Sequence, residues 1–161
     1  MNDPQRKDAD GTRADAEVGN YAQTGFTPHG TMEIRKQGAI VTGHARGPFN
    51  TEFMQAYGAM WRQHLADWAG DGALAVHTVW AGSMLTSPDA LKLFDEMMGR
   101  AAKALPPKTL HIWTVPSGVE ARLLMLPVWS KVMNGHGLAV QVFDSQPAAE
   151  AAIDTFLAQA G

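Results

Sequence analysis

At 161 residues, 45% of them hydrophobic, the chain has the size and composition of one globular domain with a single core. Its net charge of −3, without a cluster of Lys or Arg, excludes a nucleic-acid module, and the lack of any cysteine excludes disulfides, thiol nucleophiles and cysteine-bound metal. No apolar run approaches the roughly 18 residues of a spanning helix and the N-terminus lacks a basic-then-apolar leader pattern, so a cytoplasmic protein with no membrane span is expected.

Residues 1–30 are rich in Asp, Arg, Gly and Asn and poor in aliphatic side chains, so burial cannot offset the entropy of ordering them. A mobile N-terminal tail is expected there, with Tyr21 and Phe26 docking its last part, followed by a single domain over 31–161. Met32, Ile34 and the run from Ile40 to Ala45 flank Gln37-Gly38, which predicts a β-hairpin turning at that glycine. Asn50 can cap the next helix, where Phe53, Tyr57, Met60, Trp61, Leu65 and Trp68 recur at three and four residues and predict one apolar stripe lying on a sheet.

Gly70-Asp71-Gly72 ends that helix, and the apolar run Ala73–Trp80 predicts a central strand covered on both faces. A short loop to Ser87 leads to a second helix, over about Pro88–Leu105: Ser87 is a good cap, Pro88 suits the first helical position and Asp89 suits the positive end of the dipole. Its stripe is Ala90, Leu91, Phe94, Met97, Met98, Ala101 and Leu105, with Glu96 and Arg100 spaced to pair on the outer face.

Thr109–Val115 predicts the next strand. Ser117 and Glu120 have capping-box spacing for a third helix reaching about Met133, which Pro127 should kink or split. A last strand, Leu138–Phe143, and a helix capped by Ser145 complete the order. Alternation of this kind predicts an α/β fold: a mainly parallel sheet of about five strands with an antiparallel edge strand, and helices packed against it.

In that order, the hairpin MEIRKQGAIVTGHARG, the helix entry GPFNTE, the passage VHTVWAGSMLTSPDAL and the closing VFDSQPAAEAAIDTFL resemble the SpoIIAA-like family, relatives of the STAS domains, over about Thr31–Gln159. The resemblance implies a non-enzymatic regulatory or protein-binding module whose partner is a regulatory protein. It implies too that Ser87 stands near the serine that STAS antagonists have phosphorylated. Here the acidic residue before that serine and the glycine after it are missing, and Asp89 would oppose a phosphate, so the plain helix cap is the preferred role for Ser87.

No catalytic constellation is present: Ser83 and Ser117 lie outside a Gly-x-Ser-x-Gly elbow, and no phosphate or dinucleotide loop occurs. His44, His77 and His111 fall on three predicted strands, yet nothing in their spacing places them on one face, so neither a metal nor another cofactor is assigned. Open α/β sheets bind ligands at the carboxyl ends of their strands. That principle nominates Trp80, Ser83, Met84, Thr86, Ser87 and Trp113 as the partner- or ligand-binding residues. The alternative function is therefore a carrier or sensor of a small apolar or lipid-like ligand at those strand ends, where Met125 and Trp129 could add to the lining.

Overall fold

The computed structural model describes residues 14–23, 25–70 and 72–161. Residues 1–13 of the expected tail lie outside them. Residues 14–21 are laid against the domain, where β1 (Ala16–Glu17) pairs antiparallel with β2 and Ala16 and Val18 are buried, whereas Phe26, expected to dock, is 74% exposed. A short 3-10 turn, Val18–Tyr21, then packs on the first long helix, and the Tyr21 hydroxyl lies 2.6 Å from His64 Nε2.

The hairpin is β2 (Thr31–Gln37) and β3 (Ile40–Phe49), joined through Gly38, whose φ of 55° is the left-handed conformation a two-residue turn requires. The order continues as α1 (Thr51–Ala69), β4 (Leu74–Thr86), α2 (Pro88–Ala104), β5 (Thr109–Thr114), α3 (Arg122–Gly135), β6 (Val140–Phe143) and α4 (Gln146–Ala160). The six strands lie in sequence order β1 to β6 in one sheet; the pairs from β3 to β6 are parallel and the first two are antiparallel. The sheet thus has one strand more than the five expected, and β2, the expected edge, is covered by β1.

Sequential order dictates the layers. Each parallel step from β3 to β6 moves the same way across the sheet, and right-handed crossovers then put α1, α2 and α3 on one face. With no strand to follow, α4 folds onto the other face, against β4, β5 and β6. Period-two alternation sorts the side chains accordingly. Leu74, Trp80, Trp113 and Val115 join the large core under α1–α3, whereas Ala75 and Ile112 meet Ala149 and Ile153 of α4 in a smaller one.

Three caps form as the sequence predicts: Asn50 accepts from Phe53 N at 2.9 Å, Ser87 from Ala90 N at 3.2 Å and Ser145 from Ala148 N at 3.4 Å. Replacing Ser87 by alanine strips one amide of its partner and should lower stability by about 1 kcal/mol. A shift of the urea midpoint at constant slope would show this; an unmoved midpoint would deny the cap any energetic weight.

Two expectations are corrected. The stretch after Trp80 is no loop, because β4 continues to Thr86 alongside the end of β3 through a bulge at Gly47. Gly47 allows that approach: a Cβ there would stand 2.1 Å from the Ser83 carbonyl oxygen. The capping box at Ser117 does not form either. Glu120 is held extended against β4, its amide donating to Gly82 O at 2.8 Å and its carbonyl accepting from Met84 N at 3.0 Å, so the helix begins only at Arg122, after Ala121 in the left-handed region. From there α3 runs unsplit through Pro127. On α2, Glu96 and Arg100 form no ion pair.

Candidate binding cavity between two helices and the sheet

The apolar stripe of α1 and that of α2 face the same stretch of sheet, but their residues differ sharply in size. Gly58 on α1, Ala101 and Ala104 on α2 and Ala45 on β3 are small, whereas Tyr57, Trp61, Trp80 and Trp113 are large rings standing between the layers. The rings hold the helices off the sheet and the small residues leave the gap unfilled. The result is a cavity of about 170 Å³. Interiors are close-packed, with few voids larger than a water molecule, so a space of this size is a departure from ordinary core packing. An apolar cavity of about 150 Å³ is known to stay dry and to admit benzene.

The end of the cavity toward α3 is braced by an aromatic cluster. Trp80 meets Phe49, Trp113 and Trp129 at centroid distances of 5.8, 5.4 and 5.2 Å, and Phe94 meets Trp129 at 4.7 Å. These are tilted or edge-to-face contacts, the favourable geometry for ring quadrupoles. Trp129 Nε1 donates to the Met84 carbonyl at 2.9 Å, which fixes that ring.

Trp80 has no such anchor. Its Nε1 is buried without a hydrogen-bond partner, and so is His111 Nε2; the two residues are 5% and 6% exposed and both line the cavity. A buried, unpaired polar group costs about 1–3 kcal/mol, and most native proteins avoid it. Trp61 Nε1, on the α1 side, also makes no hydrogen bond, although the indole is close enough to Tyr57 to favour the ionised phenol slightly. Burial is the stronger influence on Tyr57 and pushes its pKa up to about 12. Burial likewise lowers His111 to about 4, so its imidazole is neutral at physiological pH. At the surface the lining includes Arg62 of α1 and Arg100 of α2, both exposed.

The residues nominated from the sequence divide. Trp80 and Trp113 line the cavity. Ser83 and Met84 are buried in the extended part of β4, with Ser83 Oγ accepting from Leu85 N at 3.1 Å. Thr86 is partly exposed and Ser87 is exposed at the start of α2, its hydroxyl engaged as the cap. None of these four reaches the cavity lining. The space lies under α1 and α2, running from Phe49 at the carboxyl end of β3 to His111 near the start of β5, and so extends well below the strand ends. Of the other two nominated side chains, Trp129 lines it and Met125 does not.

Sequence reasoning missed His111, Arg62 and Arg100 as lining residues. The signal available for the arginines was their place one turn beyond Gly58 and Met97 on two neighbouring helices.

The three strand histidines are not brought together. Register pairs His77 with Thr42 and His44 with Val79, placing both on the α4 face, while His111 stands opposite Val76 on the other. His77 Nε2 lies 2.8 Å from Thr114 Oγ1. Burial lowers the pKa of His77, with Glu150 opposing and His44 reinforcing the effect; burial and then Arg35 lower that of His44. Elsewhere His136 Nε2 meets Asp95 Oδ1 at 2.7 Å in an exposed pair between α2 and the end of α3. Among the described residues no group of three His, Asp or Glu side chains converges as a metal ion would need, and no helix is long and apolar enough to cross a membrane.

In comparisons with known proteins, the chain matches no family model, no curated protein and no solved structure.

Proposed function

We propose that this protein is a non-enzymatic carrier or sensor of a small apolar ligand held between α1, α2 and the sheet. The observation that carries the proposal is the cavity of about 170 Å³, walled by apolar side chains of α1, α2 and the sheet. A ligand there gains by displacing poorly held water from apolar walls. Burial of about 25 cal/mol per Å² over a small ring supplies enough for weak to moderate binding. The resemblance to STAS-related domains supports the same reading, since lipid-transfer domains are related to that fold.

The test uses benzyl alcohol as a neutral probe. Trp61, Trp80, Trp113 and Trp129 all line the cavity, so binding should change tryptophan emission saturably and raise the melting temperature. Ala101→Phe should fill the space and abolish both responses. A wild type that shows neither response, or a filled variant that responds in full, sinks the proposal.

A second reading, the STAS-like docking module for a regulatory protein, draws on a different surface. Leu123 and Leu124 at the start of α3 are 86% and 68% exposed, and Leu85 of β4 is exposed too. Adjacent exposed leucines are the kind of patch that protein interfaces use. Phosphorylation of Ser87 belongs to this reading only. It would require the hydroxyl to leave its cap.

A further inference from the structure

The lining of the cavity is mostly apolar, with Thr78 and His111 on the sheet side, and its two charged residues, both at the surface rim, carry the same sign. Arg62 follows Gly58 by four residues on α1, and Arg100 follows Met97 by three on α2. Arg62 and Met97 both approach Gly58: a Cβ built there would lie 3.4 Å from both Arg62 Nη1 and Met97 Sδ. The Arg62 guanidinium is therefore folded back over the seam between the two helices. Arg100 lines the cavity from the α2 side of that seam.

Neither arginine has an ion-pair or hydrogen-bond partner among the described residues, although Glu96 stands four residues before Arg100 in the order that favours a helix pair. Two unpaired guanidinium groups beside an apolar opening present donors to an anion while the walls accept its hydrocarbon body. The lining holds no Asp or Glu to oppose them.

We infer that the ligand is a small organic acid, an aromatic or short-chain carboxylate. Its carboxylate sits at the rim between Arg62 and Arg100, and its apolar body reaches inward toward Trp80 and His111. The size follows from the volume, which suits one ring with a few added atoms and excludes a long acyl chain or a two-chain lipid lying wholly inside. This inference rests on the cavity being the binding site and adds the charge and class of what enters it.

The test compares benzoate with benzyl alcohol, which share a ring and differ in charge, by titration at pH 7.5 followed through tryptophan emission and ligand-observed NMR. Wild type should bind benzoate about tenfold more tightly than benzyl alcohol, and added salt should erode that preference because the rim is exposed. The double variant Arg62→Gln, Arg100→Gln should bring the ratio of the two affinities to about one, and its circular dichroism and urea midpoint should match those of the wild type. Both substitutions are at exposed positions and leave the apolar walls in place. Equal affinity for the two probes in wild type, or a preference that survives in the double variant, overturns the carboxylate assignment and leaves the cavity function standing. Failure of wild type to bind either probe overturns both.

Discussion

Trp129→Ala should lower stability by about 3–5 kcal/mol, one of the two largest effects expected in this protein. The ring is almost wholly buried, meets Phe49, Trp80 and Phe94, and donates through Nε1 to the Met84 carbonyl at 2.9 Å. Truncation removes the transfer energy of a large side chain and opens a hole beside a space that is already unfilled. It also leaves the Met84 carbonyl without that donor. Trp129→Phe separates the two contributions: it keeps most of the packing, loses the N–H, and should cost about 1–3 kcal/mol. Urea unfolding of the two variants, followed by circular dichroism because the tryptophan signal itself changes, measures both. A loss below about 1 kcal/mol for the alanine variant would mean that the aromatic cluster is not what holds α3 to β4.

The consequence reaches the candidate site, because Trp129 is the anchored member of a group whose next member, Trp80, is unanchored. Trp80 is held by rings on three sides, and its polar edge has been left without a partner. Loss of Trp129 should therefore loosen Trp80 and weaken any ligand that depends on its position. Positioning by packed rings, with a single hydrogen bond fixing the cluster to the backbone, is a rigid arrangement suited to a preformed pocket.

Much of the fold was legible because it rests on local chemistry. Asn50, Ser87 and Ser145 announce helix starts by side-chain acceptors within a few residues, and the Gly38 turn follows from a conformation that glycine adopts freely. What escaped depends on partners distant in sequence. The stretch from Ala81 to Thr86 reads as a loop because Gly82 and Ser83 interrupt an apolar run, and it becomes strand only because Gly47 and Phe49 pair with it. Ser117 and Glu120 spell a capping box, but Glu120 is drawn into backbone bonds with Gly82 and Met84 and the local signal loses.

The candidate site was legible in part for the same reason. Trp80 and Trp113 were found by a rule about strand ends, and they do border the cavity. The rule points to the loop side, whereas the space is created lower down, where Gly58, Ala101 and Ala104 from two helices face large rings. A void is a property of three surfaces at once. No single helix pattern records it, and a stripe of small and aromatic residues reads as ordinary core until the opposing layers are known.

Lowering the pH should reveal the second large effect, through His111. Its folded-state pKa of about 4 lies below the ordinary 6.5, and burial is the cause. Between those values the unfolded chain binds a proton that the folded chain refuses, so stability rises with pH across the window. The contribution is complete above about pH 7, and is lost as pH falls from 6.5 toward 4. Each pH unit in that interval removes about 1.4 kcal/mol, for a total near 3 kcal/mol. His77 and His44, both lowered chiefly by burial, act in the same direction. Carboxylates titrate in the same range, so the discriminating comparison is with His111→Phe, which has no proton to take up. Unfolding free energies from urea titrations at pH 7 and pH 4.5 should differ by about 2–3 kcal/mol more in wild type than in the variant. Equal differences would mean that His111 takes up its proton as readily in the folded protein as in the unfolded chain, and that water reaches its ring from the cavity.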